Sequence, residues 1–337
     1  MLALAMLADS AAAQVVSTSV VYIPVTHPGA ISTLLVRIND HGQTLGGWVD
    51  VAGRFHPFLL DHGVFTDLPE FPGAAETRYF DLNNLGQYVG FYLDPQQLAH
   101  SFVFANGAFT PFDFPGQAGT TFAHGLNDQG QIVGAYGPGP GPQTEVDGTH
   151  GFLTDVGLQH FTTIDLPGEV WTTPYDINDR GDIVGILSPT GAATRAFLLS
   201  GGTLDDFVVP GAGGGPGPFG WVVLGEAYGL NEARAIVGSY GDAVGEMHGF
   251  IRNPDGSFVL PPDPNPDAIV TAFNGINDAT VVDGRRVGPY VAAYTIEAPS
   301  GLIGQTAYLV TAVPEPAILA LLAPALLGLV AAGRRRV

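Results

Sequence analysis

Apolar and polar positions alternate along this chain in a form that recurs six times. In one copy the apolar segment Ala123-His124-Gly125-Leu126 meets the polar turn Asn127-Asp128-Gln129-Gly130. The apolar run Gln131-Ile132-Val133 follows and ends at Gly134. Short apolar runs joined by such a turn predict a β-hairpin, because Asn and Gly adopt left-handed turn conformations at little cost. The anchoring asparagines are Asn39, Asn83, Asn127, Asn178, Asn231 and Asn277, spaced 44, 44, 51, 53 and 46 residues apart. Seven residues after each stands Gly46, Gly90, Gly134, Gly185, Gly238 or Gly284. A glycine at a fixed place inside a strand pattern predicts a bulge or a close backbone approach. The turn glycine is Gly42, Gly86, Gly130 and Gly181; Arg234 and Thr280 replace it in the last two copies, where a distorted turn is expected.

A second hairpin follows in each unit. Its mark is an aromatic residue two positions after a histidine: His56/Phe58, His100/Phe102, His150/Phe152 and His248/Phe250, with Arg195/Phe197 and Thr306/Tyr308 in the remaining two. A glycine turn, an alternating run and a Pro-Gly stop come next, as in Phe109 to Asp113 followed by Pro115-Gly116. Two hairpins in about 40–50 residues make one four-stranded propeller blade. The chain is therefore expected to be all-β, a propeller of six blades. Val21 to Val25 with Pro28-Gly29 has the form of a fourth strand lacking its first three, whereas unit six stops after Tyr308-Leu309-Val310. The N-terminal strand is expected to complete the sixth blade and close the ring, which leaves no sheet edge exposed.

Composition narrows the function classes. The 337 residues contain 47 Gly, 27 Pro and 46% hydrophobic residues, as expected of a turn-rich all-β fold. The formal net charge is −20. That excess of acid argues against nucleic acid as a partner and suits a soluble exported protein, a cation-rich matrix or a cationic partner. No cysteine is present, so neither a disulfide nor a thiolate metal site can form.

Three segments follow. Residues 1–13 have the form of the end of a secretory signal, with Ala11 and Ala13 as a small-residue cleavage pattern but no basic segment before them. Residues 14–312 hold the repeats, with long loops expected after Gly134 and Gly211. Residues 313–337 form a third module, in which Val313-Pro314-Glu315-Pro316 precedes an apolar run from Ala317 to Ala332 and the basic cluster Arg334, Arg335, Arg336. The run is expected to form a hydrophobic helix, with the arginines kept cytoplasmic by the positive-inside rule.

The tail resembles the PEP-CTERM sorting signal of Gram-negative bacteria. This resemblance implies export, transient anchoring in the inner membrane, recognition by an exosortase-type transpeptidase, cleavage near Pro-Glu-Pro, and delivery to the cell surface or extracellular matrix. Such signals often accompany exopolysaccharide production. The body, over roughly residues 30–310, resembles the HAF family of extracellular repeats through its Asn-Asp-x-Gly-x-Ile-Val-Gly segments and segments such as His150-Gly151-Phe152 and Arg195-Ala196-Phe197. That family brings no activity to carry over.

Candidate chemistry is sparse. The Asn-Asp turns are oxygen-rich, as a calcium site requires, but no complete EF-hand loop is present and such turns usually bond their own backbone. No cofactor is expected. The recurring histidines His56, His100, His150 and His248 read first as a repeated hydrogen bond and second as a ring around the axis. No nucleophile elbow, His-Glu-x-x-His or phosphate loop occurs. Trp48, Trp171 and Trp221 are candidates for a sugar platform, with packing the plainer role. The expected function is a non-catalytic surface or matrix protein that binds exopolysaccharide. The alternative is a propeller glycan hydrolase or lyase with carboxylates converging on the axis, so a cluster of acids at one mouth discriminates between the two.

Overall fold

The structure is a computed structural model describing residues 14–137, 148–189, 193–216, 222–278, 280–282, 285–287, 289–297 and 305–312. The signal-like segment, the sorting tail with Val313 to Pro316 and Arg334 to Arg336, Gly284 and Trp221 lie outside these residues. Among the described residues every regular element is a strand, and no helix is long and apolar enough to cross a membrane.

Each repeat folds into an antiparallel meander. Unit one is Ser32–Ile38, Thr44–Val49, Phe55–Asp61 and Val64–Asp67; unit two is Glu76–Leu82, Tyr88–Leu93, Ala99–Ala105 and Ala108–Phe112. Unit three is Thr121–Leu126, Gln131–Tyr136, His150–Asp155 and Thr162–Ile164. Unit four is Trp171–Ile177, Ile183–Ser188, Ala193–Ser200 and Thr203–Phe207. These four are separate sheets. The expectation of six separate blades is corrected here. Eight further strands form one sheet, because Met247 and Val270 join two further meanders through a parallel bridge. One meander is Glu226–Leu230, Ile236–Gly241, Met247–Arg252 and Phe258–Val259. The other is Ala268–Ile276, Tyr290–Glu297, Gln305–Ala312 and Val20–Val25.

The last strand of that final meander is the first of the chain. Val20–Val25 pairs antiparallel with Gln305–Ala312, from Val20 opposite Ala312 to Val25 opposite Ala307. The residues before it extend the seam, since Val16 N–H donates to the Phe258 carbonyl and Phe258 N–H to that of Gln14, both at 2.8 Å.

The glycine seven residues after each asparagine has a steric cause. A Cβ at Gly134 would lie 2.0 Å from the Phe122 carbonyl oxygen and 2.8 Å from the Phe152 ring. A Cβ at Gly46, Gly90, Gly185 or Gly238 would lie 2.4 Å or less from the equivalent carbonyl oxygen of Leu34, Arg78, Thr173 or Glu226. Across the sheet these glycines pair with Phe58, Phe102, Phe152, Phe197 and Phe250, all fully buried. The aromatic ring covers the glycine and fills the space it leaves. In unit six a hairpin, Thr280–Val282 with Arg285–Val287, is inserted after Asn277, and Ala293 takes the glycine's place opposite Tyr308. The spacing rule therefore picks Gly284 in unit six, whereas the pairing picks Ala293.

The bulge lies on the innermost strand. Register shifts pass over Val36, Phe80, His124, Tyr175, Tyr228 and Asn274 at the same place in each unit, with a second shift in unit six over Ile269. An extra residue at that point bends the strand and re-aims a side chain or carbonyl. Apolar side chains pack between units: Val89 and Val103 of unit two lie against Ala123, Leu126 and Ile132 of unit three. The expected distortion at Arg234 does not occur. Its φ of 65° matches the 73–77° of the turn glycines, and its guanidinium grips the buried Asp182 with Nε to Oδ2 at 2.7 Å and Nη2 to Oδ1 at 3.1 Å.

Candidate axial site

The six asparagines form a closed ring. Each donates from Nδ2 to the backbone carbonyl of the next: Asn39 to Asn83 at 3.4 Å, Asn83 to Asn127 at 3.0 Å and Asn127 to Asn178 at 2.9 Å. Asn178 then reaches Asn231 at 3.3 Å, Asn231 reaches Asn277 at 3.2 Å, and Asn277 returns to Asn39 at 3.2 Å. The Oδ1 atom meanwhile holds its own turn, as where Asn127 accepts from Gln131 N–H at 2.8 Å. Both ends of the amide are used, which explains why asparagine recurs rather than aspartate.

The next residue of each unit makes a second ring. Asp40, Asn84, Asp128, Asp179, Glu232 and Asp278 each accept, on one side-chain oxygen, the backbone N–H of the corresponding residue in the preceding unit, at 2.6–3.1 Å. Five carboxylates thus gather around one mouth of the axis, all half-buried. Asn84 separates two of them, donating to Asp40 Oδ2 at 2.9 Å and Asp128 Oδ2 at 2.8 Å. Burial first, and then the Asp40 charge, raises the Asp278 carboxyl above its ordinary value. Burial, with Asp179 and Asp278, does the same for Glu232, opposed by the Asp179 N–H.

The floor of this mouth is sealed. Arg37 is 6% exposed and its guanidinium donates to the bulge carbonyls of Tyr175 at 2.7 Å and of Tyr228 and Asn274. Gly275 makes room, its α-carbon hydrogens facing the Arg37 stem. Asp81 lies 3.5 Å from Arg37 Nε and accepts Leu82 N–H at 2.8 Å and Leu126 N–H at 2.7 Å. Asp176 does likewise for Ile177 and Leu230. One guanidinium serves two buried carboxyls. Burial, against Arg37 and with Asp176, pushes Asp81 up to about 8, and burial raises Asp176 as well. His124 donates from Nδ1 to the Pro174 carbonyl at 2.9 Å and stacks on Tyr175; burial lowers it to about 4, so it is neutral. The cavity above this floor is about 90 Å³ and is lined by the same positions of all six units.

No protein-family model matches the chain, and no curated protein matches it. Solved structures do. A subtype N10 neuraminidase-like protein of A/little yellow-shouldered bat/Guatemala/060/2010 is 13% identical, over 87% of this chain and 98% of that one, with a TM-score of 0.52. AofleA from Arthrobotrys oligospora is 14% identical, over 88% of this chain and 90% of that one, with a TM-score of 0.50. The fold is a β-propeller. At these identities the likeness concerns the fold alone.

The propeller separates the sequence candidates. The asparagines converge on the axis. The histidines do not: they stand at the far ends of the second and third strands, each bonded to carboxylates. His100 Nδ1 donates to Asp113 at 2.8 Å, His150 to Asp165 at 2.8 Å and His248 to Asp263 at 2.7 Å, while His56 Nε2 meets Asp50 at 3.1 Å. Each also packs on the aromatic opposite it, as His100 on Tyr92 and His150 on Tyr136. Trp48 is sandwiched between His27 at 4.4 Å and His56 at 4.5 Å, so both faces are covered, and Trp171 is 3% exposed. Neither presents a ring face to a sugar. The residue following each asparagine, an acid in five units and Asn84 in unit two, is legible in the sequence as a repeated acceptor. Arg37 was not, because its position is Asp81, Gly125, Asp176, Gly229 and Gly275 in the other units.

Proposed function

We propose that this propeller is an exported, non-catalytic component of the cell surface or extracellular matrix that binds exopolysaccharide. The eight-stranded sheet acts in this reading as the fifth and sixth blades of a six-bladed ring, closed by the N-terminal strand. The observation that carries the non-catalytic reading is the double use of the mouth acids. Every one holds a neighbouring unit's backbone N–H, and Arg37 closes the channel beneath, so the cluster builds the ring. The acidic mouth and a net charge of −20 favour a neutral or amine-bearing polymer over an acidic one. The tail supplies the address: Val313-Pro314-Glu315-Pro316 and Arg334 to Arg336 are proposed as the recognition elements for an exosortase-type transpeptidase, with transient residence in the inner membrane.

The reading is tested by incubating residues 14–312 with the producing organism's own exopolysaccharide. Saturable co-sedimentation with no new reducing ends is expected. The second reading, a glycan hydrolase or lyase, is favoured by the gathering of five carboxylates and by the raised Asp278 and Glu232. Released oligosaccharide, lost on Glu232→Gln, would establish it and overturn the first. Sorting is tested separately. Replacing Pro314-Glu315-Pro316 is expected to leave uncleaved protein in the inner membrane, and normal surface delivery would refute the role of the tail.

A further inference from the structure

At the face opposite the acid mouth, three units repeat one turn with different chemistry. In unit one Asp50 Oδ1 accepts the N–H groups of Ala52 and Arg54, at 2.8 and 2.9 Å. In unit two Asp94 Oδ1 accepts those of Gln96 and Leu98, and in unit five Asp242 Oδ1 accepts those of Val244 and Glu246. Six residues after the aspartate stands the histidine: His56, His100 or His248. The second carboxylate oxygen is thereby left facing the imidazole. The residue four after the aspartate decides what else is present. It is Arg54 in unit one, paired with Glu70 at 2.8 Å, and the uncharged Leu98 in unit two. In unit five it is Glu246, which adds a carboxylate to the same corner. One ligand atom from each of Asp242, Glu246 and His248 lies within 4.8 Å of the others.

The imidazole is set up for ligation. Asp263 holds His248 Nδ1 at 2.7 Å, so in the neutral ring Nδ1 carries the proton and Nε2 keeps its lone pair. A carboxylate behind a metal-binding histidine fixes its tautomer and raises its basicity. Nε2 lies 3.6 Å from Asp242 Oδ2, too long for a hydrogen bond. Two ligands of a tetrahedral ion at metal distances near 2.0–2.1 Å stand about 3.4 Å apart, so this pair already has the required opening. Glu246 is exposed and can swing its carboxylate onto the ion. We propose that Asp242, Glu246 and His248 form a divalent transition-metal site on the rim of the propeller, taking Zn²⁺ with water as the fourth ligand. One imidazole with two carboxylates suits Zn²⁺ better than the all-oxygen Ca²⁺.

The test is calorimetric titration of the metal-stripped whole chain with Zn²⁺, repeated with Co²⁺ for its absorption spectrum. One saturable site is expected, with a Co²⁺ band of mixed nitrogen and oxygen ligation. Glu246→Leu, which copies unit two on an exposed side chain, is expected to weaken binding at least tenfold. Leu98→Glu, which copies unit five into unit two, is expected to raise the stoichiometry to two. Unchanged binding in Glu246→Leu would mean that the metal sits elsewhere and would overturn the site. So would the absence of saturable binding by the unaltered chain. An unchanged stoichiometry in Leu98→Glu would overturn the claim that this carboxylate completes the site.

Discussion

The Asn277 side chain donates to the Asn39 carbonyl at 3.2 Å, across 238 positions of sequence. Five bonds of the same kind join residues 44 to 53 positions apart, and this sixth one turns them into a ring. Each asparagine also fastens the turn that follows it, so a single side chain couples the local hairpin to the neighbouring unit.

Removing one such side chain breaks both couplings. Asn127 gives up its bonds with Gln131 N–H and Oε1 at 2.8 Å and with the Asn178 carbonyl at 2.9 Å. With buried partners left unpaired, Asn127→Ala is expected to cost roughly 2–4 kcal/mol, measured by urea unfolding. A change below about 0.5 kcal/mol, ordinary for a surface substitution, would show that the ring contributes little.

Two glycines at different positions of the repeat, Gly86 in unit two and Gly134 in unit three, are predicted to behave differently. Gly86 has φ 73° and open space around a Cβ, so Gly86→Ala should cost about 1 kcal/mol, from backbone conformation alone. A Cβ at Gly134 would clash with the Phe122 carbonyl and the Phe152 ring, so Gly134→Ala should cost ~2–3 kcal/mol through forced backbone movement. Equal losses in thermal or chemical unfolding would contradict the close approach.

Among the described residues, Arg37 is the cation that acts on both buried carboxyls, Asp81 and Asp176. Arg37→Met leaves their burial uncompensated and frees the carbonyls of Tyr175, Tyr228 and Asn274. Breaking a buried pair in this way costs about 3–5 kcal/mol. Denaturant unfolding at neutral pH measures it.

His124 gives the fold a dependence on acid. Its folded value, about 4, lies below the ordinary 6.5, because burial disfavours the charged ring. Below pH 6.5 the unfolded chain takes up a proton that the folded chain refuses until about pH 4. Its contribution is therefore full above pH 6.5 and is lost as the pH falls towards 4, by roughly 3 kcal/mol at most. His124→Asn should flatten the stability profile across that window. A profile of unchanged slope would show that another group carries the acid sensitivity.

Much of this architecture was legible as period and spacing. The asparagine answers a backbone demand repeated in all six units, and the glycine seven residues on and its paired phenylalanine answer one repeated in the first five. Such demands leave a mark in sequence. The offset of Val21 to Val25 was legible for the same reason, as a strand without a unit. What lay hidden were features that occur once. Arg37 breaks the repeat and works through carbonyls contributed by three distant units. Arg234 keeps a glycine's conformation because Asp182 of the preceding unit holds its guanidinium, which the turn pattern alone does not show. The hairpin after Asn277 displaced the sixth strand pairing, so that Ala293 rather than the regularly spaced glycine faces Tyr308.

The closure of the ring is tested most directly by moving the first strand. Val20 lies opposite Ala312, so a short linker can join residue 312 to the segment 14–30 in a chain that starts at residue 31. If Val20–Val25 is the missing strand of the last meander, this rearranged chain is expected to fold and to melt within a few degrees of the original. The chain lacking 14–30 altogether should melt far lower. Equal melting of the original and the deleted chain, or failure of the rearranged chain to fold while the original does, would contradict the closed ring.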